Sequence, residues 1–434
     1  MITLMASRSS RLCARALALL AISLALVASP ARAQSESELR QRAADVVAVI
    51  AGEKPYAEVF ADSFVMAVPE AQFAMIGRQL TAQVGALVGL DAVEPGAQRG
   101  AATVSIRFER AIVRGPMQLE GSAPYRVAGL LLNDLAPVNE RGLSVVEQVQ
   151  DLPGETALLF ARLDGSEVIA AHNADRQFAI GSTFKLYVLS ALSRSIARGE
   201  RRWEDVVNLT ERSFPSGQMQ DWPRGSPVTL HTLATLMISI SDNTATDQLM
   251  AVLGREAVEA ELVASGHSAP AATLPYLTTR ELFLLKLGDD STLAQYEAGN
   301  EAQRRAILAG LQDRQLDMAD IQRVFGPGPR FIGVEWFASA EDIARIYARL
   351  AQDPVALEIL GVNLGMDRQR FSGWAYAGYK GGSEPGVLNF SWLLRDAAGQ
   401  WWVLAMSWNN PAAPVSEMEF LALAQAALAQ RERR

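Results

Sequence analysis

Ser182 and Lys185 stand three residues apart at the head of an apolar run, in "GSTFKLYVLSAL". In the first turn of a helix that spacing puts both side chains on one face. A lysine at a helix N-terminus meets the positive end of the helix dipole, and burial adds to the pressure against its charge. An uncharged lysine is a base, so the pair reads as a serine nucleophile activated by an amine. The same residues also fit a serine N-cap followed by a lysine that snorkels to the surface. Partners elsewhere in the chain must decide between the two.

Two further stretches bear on that choice. In "LATLMISISDNTATDQLM" the residues Ser241, Asp242 and Asn243 fall in a break between two helical runs, where short polar side chains can turn a hydroxyl and an amide toward a cleft. In "YKGGSEPG" Lys380 sits on a strand, and Gly381 and Gly382 after it let a backbone or a substrate come close. Each has an ordinary reading too, as a helix start and as a turn. Other chemistries find little support. The single cysteine, Cys13, lies in an apolar leader, which leaves no disulfide, thiolate metal site or cysteine nucleophile in the remaining chain. The three histidines, His172, His231 and His267, lie in polar, turn-like or helix-starting contexts that fit surface histidines, so neither a Ser-His-Asp triad nor a histidine-rich metal site is expected. A net charge of −8 without a basic run argues against nucleic acid as a partner.

The elements that must hold these residues divide the chain. At 434 residues it exceeds a single core and reads as two domains. Residues 1–33 combine arginines, a short apolar stretch and a small-x-small site, the pattern of a secretory signal; this predicts a soluble exported protein, periplasmic or secreted, with no stable membrane anchor. Residues 36–139 read as helices followed by alternating strands, an α+β domain. Its acids Glu58, Asp62 and Glu70 are lone charges on helices, which are ordinarily solvated. Residues 140–155 read as a connecting arm. From 156 to 434 the pattern is a hairpin turning at Asp164-Gly165, the helix after Ser182, a helical middle, two strands around Lys380 and a closing helix, so that strands from both ends form one antiparallel sheet. Within the helical middle, Ser339 is expected to cap a helix, and "FGPGPRF" to be a rigid irregular link.

The ordered trio S-T-F-K at Ser182, S-D-N at Ser241 and K-G-G at Lys380 resembles the penicillin-recognising serine hydrolases, the class A β-lactamases and penicillin-binding proteins, whose signatures are S-x-x-K, S-D-N and K-T-G. The two-domain layout and stretches such as "RVAGLLL" resemble members whose amino-terminal domain is a steroid-isomerase-like cone, related to a β-lactamase-like protein of clavulanic acid biosynthesis. The resemblance implies a serine β-lactamase-like carboxy-terminal fold, α/β plus all-α, with an antiparallel sheet. It implies Ser182 as nucleophile, Lys185 as its base and Ser241 as proton donor to the leaving nitrogen. Asn243 would bind a substrate amide, Lys380 a substrate carboxylate, and Asp242 would brace the turn. Gly382 and Ser383 would line the substrate strand, with the oxyanion between the N–H groups of Ser182 and Ser383. No metal or other cofactor is implied. The substrate would be a small β-lactam, peptide or ester, and the rivals are a fast class A-like β-lactamase, a D,D-peptidase or esterase, and an acylatable binding or sensor protein.

Two departures qualify the resemblance. Gly381 stands where the third signature has a hydroxyl-bearing residue, so a substrate carboxylate loses one hydrogen bond unless Ser383 replaces it. The stretch Leu262 to Arg280, where class A enzymes carry the glutamate that activates the deacylating water, contains no Asp or Glu, although Glu261 and Glu281 flank it. Slow release of the acyl group is the expectation.

Overall fold

The computed structural model describes residues 36–311, 314, 318–325 and 328–432; the leader 1–33 with Cys13, and part of "FGPGPRF", lie outside them. The described residues form two compact units, one of those up to Leu143 with Ser416–Ala429, and one of those in Ser144–Val415 with those from Gln430 on. Most of the closing helix Glu417–Glu432, expected in the second domain, therefore groups with the first.

In the first unit, helix Glu36–Ile50 buries Leu39, Ala43 and Val46 at helical spacing. Two short helices and helix Glu70–Val84 follow. The antiparallel sheet that succeeds them runs in the order Leu87–Pro95, Ala101–Phe108, Ala111–Leu119, Val127–Leu130, with Asp134–Pro137 also paired to the third strand. Helices before strands match the α+β reading. Strand Ala111–Leu119 alternates strictly between buried and more open positions, as a half-covered sheet requires. Tyr56, Phe60, Phe64 and Phe73 form an aromatic cluster in its core. Of the acids singled out above, Asp62 pairs with Arg126 and Glu58 is exposed.

The second unit opens with helix Val145–Gln150, inside the expected arm, started by a reciprocal Ser144/Glu147 capping box. Its sheet is antiparallel in the order Tyr376–Glu384, Val387–Arg395, Trp401–Asn409, Glu155–Arg162, Val168–His172. Strands from the two ends of the region do meet in one sheet, with three late strands rather than two. The middle strands are buried at nearly every residue, so both of their faces are covered. Helix Lys185–Ala197 is buried almost all round, which makes it a core helix. The helical middle includes Leu230–Ser239, Asn243–Leu253, Arg255–Ala264, Thr279–Lys286 and Ala340–Leu350, the last capped by Ser339 as expected. Among the described residues no helix is long and apolar enough to cross a membrane.

Candidate active site

Ser182 lies on a short 3₁₀ turn, Gly181–Phe184, between strand Phe178–Ala179 and helix Lys185–Ala197. Everything around it is pinned. The side chain of Asn409 brackets Ala179, accepting from its N–H at 2.9 Å and donating to its carbonyl at 3.0 Å. Ile180 N–H donates to Trp336 O at 3.0 Å, and Thr183 Oγ1 donates to Asn389 Oδ1 at 2.8 Å. Phe184 stacks on Trp336 with ring centroids 3.7 Å apart, and Tyr276 Oη donates to Phe184 O at 2.7 Å. Ser182 itself is only half-buried, so a rigid frame holds a serine that stays partly open.

Lys185 is completely buried, which removes the snorkelling reading. Its Nζ donates to Asn243 Oδ1 at 2.7 Å, to Ser241 O at 2.8 Å and to Ser241 Oγ at 3.0 Å. All three acceptors are neutral. Burial pulls its pKa down to about 7, with Asp242 and Asp247 opposing the fall. Asp242 touches neither amine by a hydrogen bond; it caps Ala245 N–H at 2.9 Å and accepts from Gln218 and Met219 N–H at 2.7 and 2.9 Å, so it builds the turn as expected. That turn holds Ser241 at φ +56°, a left-handed conformation uncommon for serine, and its hydroxyl accepts from Lys185 there.

Lys380, also buried, reaches the same hydroxyl from the opposite side, with Nζ 3.1 Å from Ser241 Oγ and a second bond to Gly381 O. Burial, then the neighbouring Lys185, hold its pKa well below the usual lysine value. One hydroxyl thus links two amines whose residues are 139 positions or fewer from it. Strand Tyr376–Glu384 passes against the serine turn at its two glycine-flanked residues. A Cβ on Gly382 would stand 2.4 Å from Ser182 N and 2.0 Å from Ile180 O, and one on Gly181 would stand 2.9 Å from Ser383 N. Only glycine lets these backbones touch, and their contact gathers the N–H groups of Ser182 and Ser383. Ser182, Lys185, Ser241, Asn243, Lys380, Gly382 and Ser383 are all brought together. Asn243 differs from expectation in emphasis: it is buried, with its oxygen on Lys185 and its amide donating to Phe214 O at 2.9 Å, so it first orients the lysine.

The two acids nearest the acid-free stretch are held by other groups. Glu261 accepts from Ser190 Oγ and, through both oxygens, from Arg349 at 2.7 and 2.9 Å. Glu281 pairs with Arg255 at 2.6 Å and forms a capping box with Thr278. A further charged cluster went unread in the sequence. Lys286 is completely buried, bonded to Glu384 and 3.8 Å from Glu335, whose side chain is also buried. Burial, then Glu384, push the Glu335 carboxyl up to about 8 against the pull of Lys286. The available signal was a lone glutamate among apolar residues in "GVEWFA". His267 corrects the surface reading: its ring is buried, accepts from Ala269 N–H through Nδ1 at 3.1 Å and meets Phe337 O through Nε2 at 2.9 Å, a neutral tautomer whose pKa burial lowers. No group of three or more His, Cys, Asp or Glu among the described residues could hold a metal ion.

Solved structures similar to this chain include a β-lactamase from Sphaerobacter thermophilus (22% identity, covering 66% of this chain and 95% of that one, TM-score 0.45). PBP-A (17%, 67% and 94%, TM-score 0.46) and a β-lactamase from Francisella tularensis (13%, 67% and 98%, TM-score 0.47) are also similar. No curated protein matches the chain. Residues 144–356, which carry Ser182, Lys185, Ser241 and Asn243, match the sequence model of the Beta-lactamase enzyme family.

Proposed function

We propose that the chain is an exported serine hydrolase that forms an acyl-enzyme at Ser182 on β-lactam, amide or ester carbonyls and releases the acyl group slowly. The observation that carries this reading is the setting of Lys185, a buried amine facing only neutral oxygens at the foot of a half-exposed serine. In the mechanism that follows, neutral Lys185 takes the Ser182 proton as the serine oxygen bonds to the carbonyl carbon. The developing oxyanion lies between the N–H groups of Ser182 and Ser383, donors worth about 2.7–4 kcal/mol each. The proton then passes from Lys185 through Ser241 Oγ to the leaving nitrogen, and Lys185 returns to its neutral form. Lys380 holds the far side of Ser241 and meets the substrate carboxylate.

Slow release rests on the acid-free stretch 262–280 and on the engagement of Glu261 and Glu281 elsewhere. Losing a general base costs about 10² to 10⁴ in rate. The test is rapid mixing with a chromogenic cephalosporin, followed by intact-mass analysis. One acyl group per chain should form in a burst that precedes a slow phase. Steady turnover at hundreds per second, without a burst, would overturn slow release; absence of any adduct or turnover across β-lactams and thioesters would overturn the hydrolase and favour a binding protein.

A further inference from the structure

Gly381 leaves a gap in the strand that carries Lys380, and a neighbouring side chain fills it. Tyr379 and Gly381 lie two residues apart on strand Tyr376–Glu384 and so share a face, with Ser383 next along it. The Tyr379 ring leans along the strand. It packs on Trp392, its cross-strand partner, with centroids 4.9 Å apart and an interplanar angle of 33°, and more loosely on Phe390, the partner of Gly381. On its other side the ring lies against Gly365, which is at φ +72° and where a Cβ would come within 2.5 Å of ring carbon Cε1. The loop carrying Gly365 is tied to the same strand pair by Trp392 Nε1, which donates to Leu364 O at 2.8 Å. So held, the ring puts its hydroxyl over Gly381: a Cβ there would stand 2.0 Å from Tyr379 Oη and 2.8 Å from Cζ. The phenol oxygen occupies the place where a side chain at 381 would begin.

Lys380 ends at the same residue, its Nζ bonded to Gly381 O. We propose that Tyr379 is a specificity-determining residue whose hydroxyl, set over the same Gly381 that the Lys380 amine reaches, donates a hydrogen bond to the carboxylate of the substrate. This rests on the hydrolase reading for its substrate. A phenol O–H is a donor of the right type for a carboxylate. Two glycines make the arrangement possible, since a side chain at either 365 or 381 would displace the ring. The substrates selected are those with an anionic carboxylate close to the scissile bond, as in bicyclic β-lactams or a peptide C-terminus.

The test uses the full chain and two acyl donors, a carboxylate-bearing cephalosporin and its neutral methyl ester. Tyr379→Phe removes only the hydroxyl. It should lower the second-order acylation rate of the carboxylate donor by about tenfold or more, the value of a hydrogen bond to a charged group, and leave the ester within about twofold. An equal change for both donors, or none for either, would overturn the proposal. A double variant, Tyr379→Ala with Gly381→Thr, moves the hydroxyl to the strand and should recover preference for the carboxylate donor over Tyr379→Ala alone. Equilibrium binding of the cephalosporin to Ser182→Ala, with and without Tyr379→Phe, separates the subsite from the chemistry. Tyr379-dependent binding there, with no acylation of the unmodified chain, would sink the hydrolase reading and keep the anion subsite. Tyr379-independent binding would sink the subsite whatever the enzyme does.

Discussion

Lys185 and Lys286 are both completely buried in the second unit, yet they sit in opposite settings. Lys185 is the first residue of its helix, against the positive end of the dipole, and its hydrogen-bond acceptors are an amide, a carbonyl and a hydroxyl. Lys286 is the last residue of its helix, at the negative end, and it faces the carboxyl groups of Glu384 and Glu335. Burial alone therefore does not make a lysine a base. The end of the helix and the charge of the neighbours decide whether the amine is prepared to take a proton or to hold an acid in place.

The largest expected effect removes the atom that Lys185 serves. Ser182→Ala should abolish covalent labelling by a β-lactam on intact mass, since the described residues show no other nucleophile in this setting; an adduct that persists refutes the assignment. The two lysines are then separated by the same substitution. Lys185→Met should slow acylation by about 10² to 10⁴-fold and leave the melting transition near that of the parent, because relief of a buried amine offsets two acceptors left without a donor. Lys286→Met, which strands Glu384, should destabilise the unit by about 3–5 kcal/mol while the folded fraction still acylates. If both variants lose rate and stability alike, the contrast is false.

The same contrast has a pH signature. In the proposed mechanism the active form of Lys185 is neutral, so the acylation rate should climb as pH rises through about 7 and level off above it, and the residual rate of Lys185→Met should lack that rise. Between about 7 and the ordinary lysine value of 10.5 the unfolded lysine holds a proton that the folded one has lost, so the contribution of this group to stability grows with pH over that window. Glu335 works the other way and gives the smallest effect. Its folded carboxyl keeps a proton up to about pH 8 that the unfolded chain releases near 4.5, so its contribution falls as pH rises between those values. Glu335→Gln should change the melting temperature little at pH 5.5 and flatten that decline; thermal melts at pH 5.5 and 8 that fall in parallel with the parent would show that the carboxyl is ionised throughout.

What could be read from the sequence was local. S-x-x-K, S-D-N and K-G-G each set side chains within one turn or strand, and the frame that brings them together follows from helical and alternating patterns around them. The helix Val145–Gln150 also has a local sign, the Ser144/Glu147 capping box, but lies in a stretch whose composition reads as a connection. Strand Leu87–Pro95 was hidden because two glycines, Gly85 at φ +86° and Gly89 at φ +151°, interrupt the pattern at its start. The rest was distant. Glu335, Glu384 and Lys286 come from three segments and meet only through the fold, and the burial of His267 depends on Phe337, 70 residues on. Tyr379 precedes its motif by one residue, and nothing in its neighbours says which way the ring will lean.

That lean ties two codons together. From the present sequence, a serine or threonine at 381 would collide with the phenol oxygen that already fills the site. A shorter residue at 379 would clear the way, but its carrier has neither hydroxyl until the second change arrives. The room for a side chain at 381 is thus set by the residue at 379, and substitutions at the two positions should not be additive.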